Sequence, residues 1–195
     1  MRCFLAVDLP EAVREAIAAV STSIRERLRA DAGRVRWVAP ENLHLTLRFL
    51  GEIDEGRARE VTAAVERVTA AQAPIPVEAA GLGLFPGPVR PRVVWAGLTT
   101  GSPDVGRLAR ALEQALAAVG FPPESRPSRA HLTIGRIRPG EHGGARLADA
   151  LTAAGSPDFG GWTVREVVLY RSHLGPRGPR YEALGRLPLR GAMPA

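Results

Sequence analysis

Apolar positions change their period several times along the chain, and each change marks an element. Arg2 to Leu9 is an almost unbroken apolar run and reads as a first strand. Pro10 and Glu11 open a helix that Ala, Ile and Leu spacing carries to about Ala30, with Gly33 as its terminator. Val35 to Val38 is a short strand. The turn residues Ala39-Pro40-Glu41-Asn42 then lead into a buried strand around His44-Leu45-Thr46-Leu47, which Gly51 closes. Helical spacing returns from Ile53 to Ala73 through Val61, Val65 and Val68, and Pro74 ends it. Pro76 to Phe85 alternates as a strand, the stiff Phe85-Pro86-Gly87-Pro88 turn follows, and Arg92 to Leu98 is a further strand. Gly101 to Gly120 reads as a helix capped by Ser102-Pro103-Asp104, with Val105, Leu108, Leu112, Leu116 and Val119 on one side. After the strand at His131 the pattern gives a helix from about Gly144 to Ala154 and a strand from Trp162 to Tyr170. A last strand runs from Arg180 to Leu189, and the loop Gly175-Pro176-Arg177-Gly178-Pro179 before it carries a positive charge on a rigid tip.

One pattern occurs twice: His44-Leu45-Thr46-Leu47 returns as His131-Leu132-Thr133-Ile134. On a strand, residues i and i+2 point to one face, so each His shares a face with its Thr. An imidazole titrates near neutral pH, and a hydroxyl beside it can hydrogen-bond an anion. Two such strands facing each other would put an acid and a base on opposite sides of one phosphorus, as in-line displacement requires, without a metal. Each His strand follows a helix and a lead-in containing Arg and Pro, which suggests two halves related by an approximate two-fold.

Composition narrows the setting. At 195 residues and 45% hydrophobic content the chain suits one globular domain over 1–195. The formal charge is +6 and all 26 basic residues are Arg, a balance that favours polyanionic partners and bidentate contact with phosphate. Cys3 is single and lies in an apolar run, so it reads as a small buried residue. No apolar stretch reaches the roughly 18 residues of a membrane span, and the N-terminal run is too short for a secretory signal, so the expectation is a cytoplasmic protein with no membrane contact. His142 and His173 lack a Thr at i+2 and read as surface residues. No Cys or carboxylate stands with them at metal-ligand spacing, so neither metal nor cofactor is expected. Gly81 and Gly83 form only a G-x-G with no helix at the required place, which excludes a dinucleotide fingerprint. Arg25, Arg27 and Arg29 read as a solvated helix end, and Trp95 as core or cleft wall.

The two tetrapeptides, with RCFLAVDLP, WVAPENLHLTLRFLGE, FPGPVRPRVVWAGL, RAHLTIGR and EVVLYRSHL around them, resemble the 2H phosphoesterase superfamily, and within it the RNA 2′,3′-cyclic phosphodiesterases once called 2′-5′ RNA ligases. These blocks run from Arg2 to about Leu189. The resemblance implies an α+β, bilobal fold, two pseudo-symmetric lobes with antiparallel sheets facing a central cleft and helices outside. It implies His44 as proton donor, His131 as proton acceptor and a 2′-phosphate product from RNA ending in a 2′,3′-cyclic phosphate; separately, a monomer is expected. Thr46 and Thr133 would hold the non-bridging oxygens. Arg136 matches a phosphate-binding Arg and Phe49 a base-stacking position. Strict alternation, however, turns Arg136 away from the His face unless a bulge at Gly135 re-aims it, and favours a core position for Phe49. Where relatives often carry an aromatic residue and a Pro before the second His, this chain has Ser128 and Ala130.

Other functions remain open on the sequence. The same two histidines would serve a 2′-5′ RNA ligase, which here must reuse the energy of the cyclic phosphate because the chain has no lysine to carry an activated nucleotide. A phosphodiesterase for a small cyclic nucleotide fits the motifs but makes less use of the positive charge. A silent binder of RNA ends would tolerate loss of both histidines.

Overall fold

The computed structural model describes residues 1–29, 35–124, 129–138, 144–176 and 178–192. In chain order the elements are β1 (Arg2–Asp8), α1 (Glu11–Leu28), β2 (Val35–Trp37), β3 (His44–Glu52), α2 (Glu55–Ala71), β4 (Ile75–Phe85), β5 (Val93–Thr100), α3 (Ser102–Ala118), β6 (His131–Ile137), α4 (Gly144–Ala154), β7 (Asp158–Val164), β8 (Glu166–Gly175) and β9 (Gly178–Pro188). A 3-10 turn, Pro40–Asn42, sits before β3. The expected terminator Gly33, the lead-in Ser128, the loop histidine His142 and the tip Arg177 lie outside the described residues.

The strands form one curled antiparallel sheet in the order β7-β4-β5-β6-β3-β1-β8-β9, with β2 added on β6. Cut between β6 and β3, that order gives two four-stranded lobes, each with a His strand at the inner edge. The join is narrow: β3 and β6 meet through the register pair Leu45 and Leu132. Helices cover the outside, α2 against β8 and β9 in the first lobe and α1 and α4 against β7 and β4 in the second, while α2 also packs on α3. This is the α+β, two-lobed arrangement expected from the sequence.

Local chemistry explains the elements. In α1, Val13, Ile17, Ser21, Ile24 and Leu28 form a buried stripe at three- and four-residue spacing. The Asp54 carboxylate caps α2 by accepting from the Arg57 N–H at 2.8 Å. For α3 the expected Ser102 cap is corrected to Gly101, at φ 74°, where a Cβ would lie 2.3 Å from the Pro76 carbonyl. The close approach of β4 demands glycine there, and no side chain caps this helix.

The single strand expected over Trp162 to Tyr170 is two strands, β7 and β8, separated at Arg165. They belong to opposite ends of the sheet, β7 on β4 and β8 on β1. The pair Gly160-Gly161 removes the apolar alternation that would have marked β7, and a crossover leaves no trace in hydrophobicity. β8 also extends further than expected, so His173 lies within it and pairs with Glu182 at 2.6 Å.

Candidate active site

Leu45 and Leu132 are fully buried, so their neighbours His44, Thr46, His131 and Thr133 turn to the opposite, concave face of the sheet. The antiparallel sense of β3 and β6 sets His44 on the Thr133 side and Thr46 on the His131 side. Both histidines are held alike. His44 Nδ1 lies 2.8 Å from the Asn42 carbonyl, and His131 Nδ1 lies 2.7 Å from the Arg129 carbonyl. A carbonyl only accepts, so each Nδ1 carries the hydrogen, and each Nε2 is left to exchange protons. Thr133 Oγ1 stands 3.3 Å from His131 Nε2.

Aromatic rings fix both imidazoles. Tyr181 meets His44 edge-on at 5.3 Å, with Phe4 4.9 Å away, and Phe85 meets His131 edge-on at 5.1 Å. Burial lowers the pKa of His44, partly opposed by the Asn42 hydrogen bond and the Asp8 carboxylate, while Arg136 and His131 lower it further. Burial also lowers that of His131, against its bond to the Arg129 carbonyl, and Arg136 adds to the fall. Asp8 is the register partner of His44 and is itself held by Tyr170 Oη at 2.5 Å and Arg186 at 3.0 Å.

Arg136 lies on the cleft side, lining a groove of about 560 Å³ with His44, Phe49, Arg2 and Tyr181. Strict alternation predicts the opposite, and a bulge explains the difference. On β5, Val94 pairs with Gly135 and Trp95 with Thr133, so Ile134 is an extra residue in β6 and the pattern downstream changes face. The tight seat of Gly135 also fits: a Cβ there would lie 2.8 Å from Val35 Cγ1. β3 does the same thing at the same place. Leu5 pairs with Arg48 and Ala6 with Thr46, which makes Leu47 the extra residue. Phe49 therefore emerges 54% exposed in the groove, and the core position favoured by alternation is corrected. Arg48, the counterpart of Gly135, is buried instead, bridging to Glu124 at 3.0 Å and donating to the Pro122 carbonyl.

Trp95 stacks on Phe85 at 5.0 Å, behind His131, and its ring fills the space above Gly83. Sequence reasoning missed Phe4, Tyr181, Asp8 and Phe85 because they reach the site from β1, β4 and β9, none of which is a His strand. The one signal available was that Phe4, Asp8 and Phe85 lie inside blocks already matched to the superfamily. Among the described residues no three His, Cys, Asp or Glu are grouped to hold a metal, and no helix is long and apolar enough to cross a membrane.

Known proteins share both the sequence and the frame that carries this site. The model of the family described as LigT like Phosphoesterase matches residues 7–95 and 99–181. A protein of Methanothermobacter thermautotrophicus named RNA 2′,3′-cyclic phosphodiesterase is 37% identical over 182 residues, covering 93% of this chain and 95% of its own. One of that name from Archaeoglobus fulgidus is 36% identical over 184 residues, with 94% and 98% covered. The crystal structure of TT0787 from Thermus thermophilus superposes with a TM-score of 0.79 at 32% identity, covering 99% of this chain and 100% of that one. E. coli LigT complexed with 3′-AMP gives a TM-score of 0.76 at 28% identity, over 96% and 97%. With the family match spanning both lobes and both histidine strands, the chain belongs to the LigT-like phosphoesterase family of 2H phosphoesterases.

Proposed function

We propose that this protein hydrolyses the terminal 2′,3′-cyclic phosphate of RNA to a 2′-phosphate, without a metal, as a cytoplasmic monomer. The observation that carries the reading is the matched pair of imidazoles, each with Nδ1–H given to a carbonyl and Nε2 left for the substrate. Both come from one chain, so a monomer suffices. The relatives' name, RNA 2′,3′-cyclic phosphodiesterase, supports the substrate class.

The phosphate sits between the two HxT strands. Water attacks phosphorus and gives a proton to Nε2 of His131. The bond from phosphorus to the ribose 3′ oxygen breaks, and Nε2 of His44 protonates that oxygen. The assignment of donor and acceptor gains support from Asp8, whose carboxylate favours the protonated form of His44 and has no counterpart acting on His131 among the described residues. Thr46, Thr133 and Arg136 bind the non-bridging oxygens, and Phe49 stacks on the terminal base. An oligoribonucleotide ending in 2′,3′-cyclic phosphate, incubated with the protein and resolved by terminal phosphate isomer, tests this. A 3′-phosphate product, or no product, would refute it.

Two outcomes follow. Activity should persist in EDTA, because two imidazoles supply acid and base and Arg136 supplies the positive charge. A divalent-ion requirement, seen by assay before and after chelation, would contradict it. Activity should also depend on pH as a bell. His131 must be neutral, which gives the acid limb, and His44 must be protonated, which gives the alkaline limb. Both pKa values are lowered in the free protein, so the maximum of kcat/KM should lie on the acid side of the ordinary histidine range, with kcat displaced upward once the anionic substrate favours the charged imidazole. Rate profiles of His44→Ala and His131→Ala, measured at high enzyme, should lack the alkaline and acid limbs respectively.

A further inference from the structure

A second concavity, of about 550 Å³, opens beside His131 and shares no lining residue with the groove around His44. Three arginines line it, Arg107 and Arg110 from α3 and Arg129 two residues before His131, and Phe85 and Trp95 give it an aromatic wall. Arg107 pairs with Asp104 on its own helix. Among the described residues no ion pair engages Arg110 or Arg129. Gly106 lies inside α3 on the same wall, where a glycine weakens a helix relative to alanine. Packing does not require it, since a Cβ there would meet only Arg110 Nη1, at 3.5 Å, an ordinary contact. Its effect is to keep the concavity open.

We propose that this concavity is a second ribonucleotide subsite, holding a nucleotide upstream of the reacting end of the same strand. Its phosphodiester lies on Arg110 and Arg129, with Arg107 in reach, and its base lies against Phe85 and Trp95. The proposal rests on the reading that the histidines act on a cyclic phosphate at an RNA end. Guanidinium groups suit phosphodiester oxygens, and an aromatic wall accepts any base because every base has a stacking face. Contact with His131 puts the subsite next to the reacting phosphorus. A nucleotide of a separate strand has the same chemistry, so the test must distinguish the two sources.

Steady-state kinetics of Arg110→Glu and Gly106→Leu decide the matter, with an oligoribonucleotide 2′,3′-cyclic phosphate and a mononucleotide 2′,3′-cyclic phosphate as substrates. One variant reverses a charge and the other removes space. Both should raise KM for the oligonucleotide by about tenfold with kcat held, and leave the mononucleotide KM within about twofold, which also shows that the variants fold. In Arg110→Glu the logarithmic salt dependence of the oligonucleotide KM should become shallower by about 0.7, one single-strand phosphate contact. Equal changes for the two substrates, or none for the oligonucleotide, would overturn the subsite. So would an effect confined to joined product formed with an added 5′-hydroxyl strand, which would assign the concavity to a second RNA. If the unmutated protein turned over neither substrate, the phosphodiesterase reading itself would fall, and the subsite with it.

Discussion

Replacing either His44 or His131 with alanine should lower kcat by about two to four orders of magnitude, the usual scale for loss of a positioned acid or base. The expectation is the same for both because both rings are held the same way: each gives Nδ1–H to the carbonyl two residues before it and meets an aromatic ring edge-on. Neither side chain is in the hydrophobic core, so the variants should keep the melting behaviour of the parent. Turnover of a cyclic-phosphate oligonucleotide, read beside circular dichroism, checks both parts. Retention of activity in one variant would end the two-histidine mechanism, and retention in both would favour a protein that only binds.

The second large effect is on stability. Leu45→Ala and Leu132→Ala should each cost about 2–5 kcal/mol, since both side chains are fully buried and truncation leaves a cavity as well as losing transfer energy. At this chain length each kcal/mol lowers Tm by roughly 2–4 °C. These leucines are also the register pair joining the lobes, so the double variant should lose measurably less than the sum of the single losses. Thermal and urea unfolding of the three variants checks this. A loss below about 1 kcal/mol in either single variant would mean that the join tolerates a cavity.

Much of this was legible in the sequence, for stated reasons. The doubled tetrapeptide and its buried leucines follow from a period of two, and the amphipathic stripes of α1, α2 and α3 from a period of 3.6. Arg136 and Phe49 were not placed by alternation, because a bulge is a property of two strands in register and its sequence trace is slight. Gly135 hints at one bulge, and nothing at Leu47-Arg48 hints at the other. Glycines hide the period of β7, so alternation alone does not separate it from β8. The ring around His44 was invisible for a different reason: Phe4 and Tyr181 come from β1 and β9, and only the sheet order brings them together.

The sheet order has a consequence for how the protein is made. β4 to β7, one lobe, are contiguous in the chain, whereas the other lobe joins β1 and β3 to β8 and β9. On the ribosome the enclosed lobe has all its strands first, while β1 keeps one edge unpaired until β8 emerges. Tyr170 then reaches Asp8, 162 residues away in sequence. Long-range closures of this kind slow folding and leave an open strand edge exposed to other nascent chains in the meantime. Completion of the His44 lobe therefore follows that of the His131 lobe, and the aromatic surround of His44 exists only once the β8–β9 hairpin has arrived.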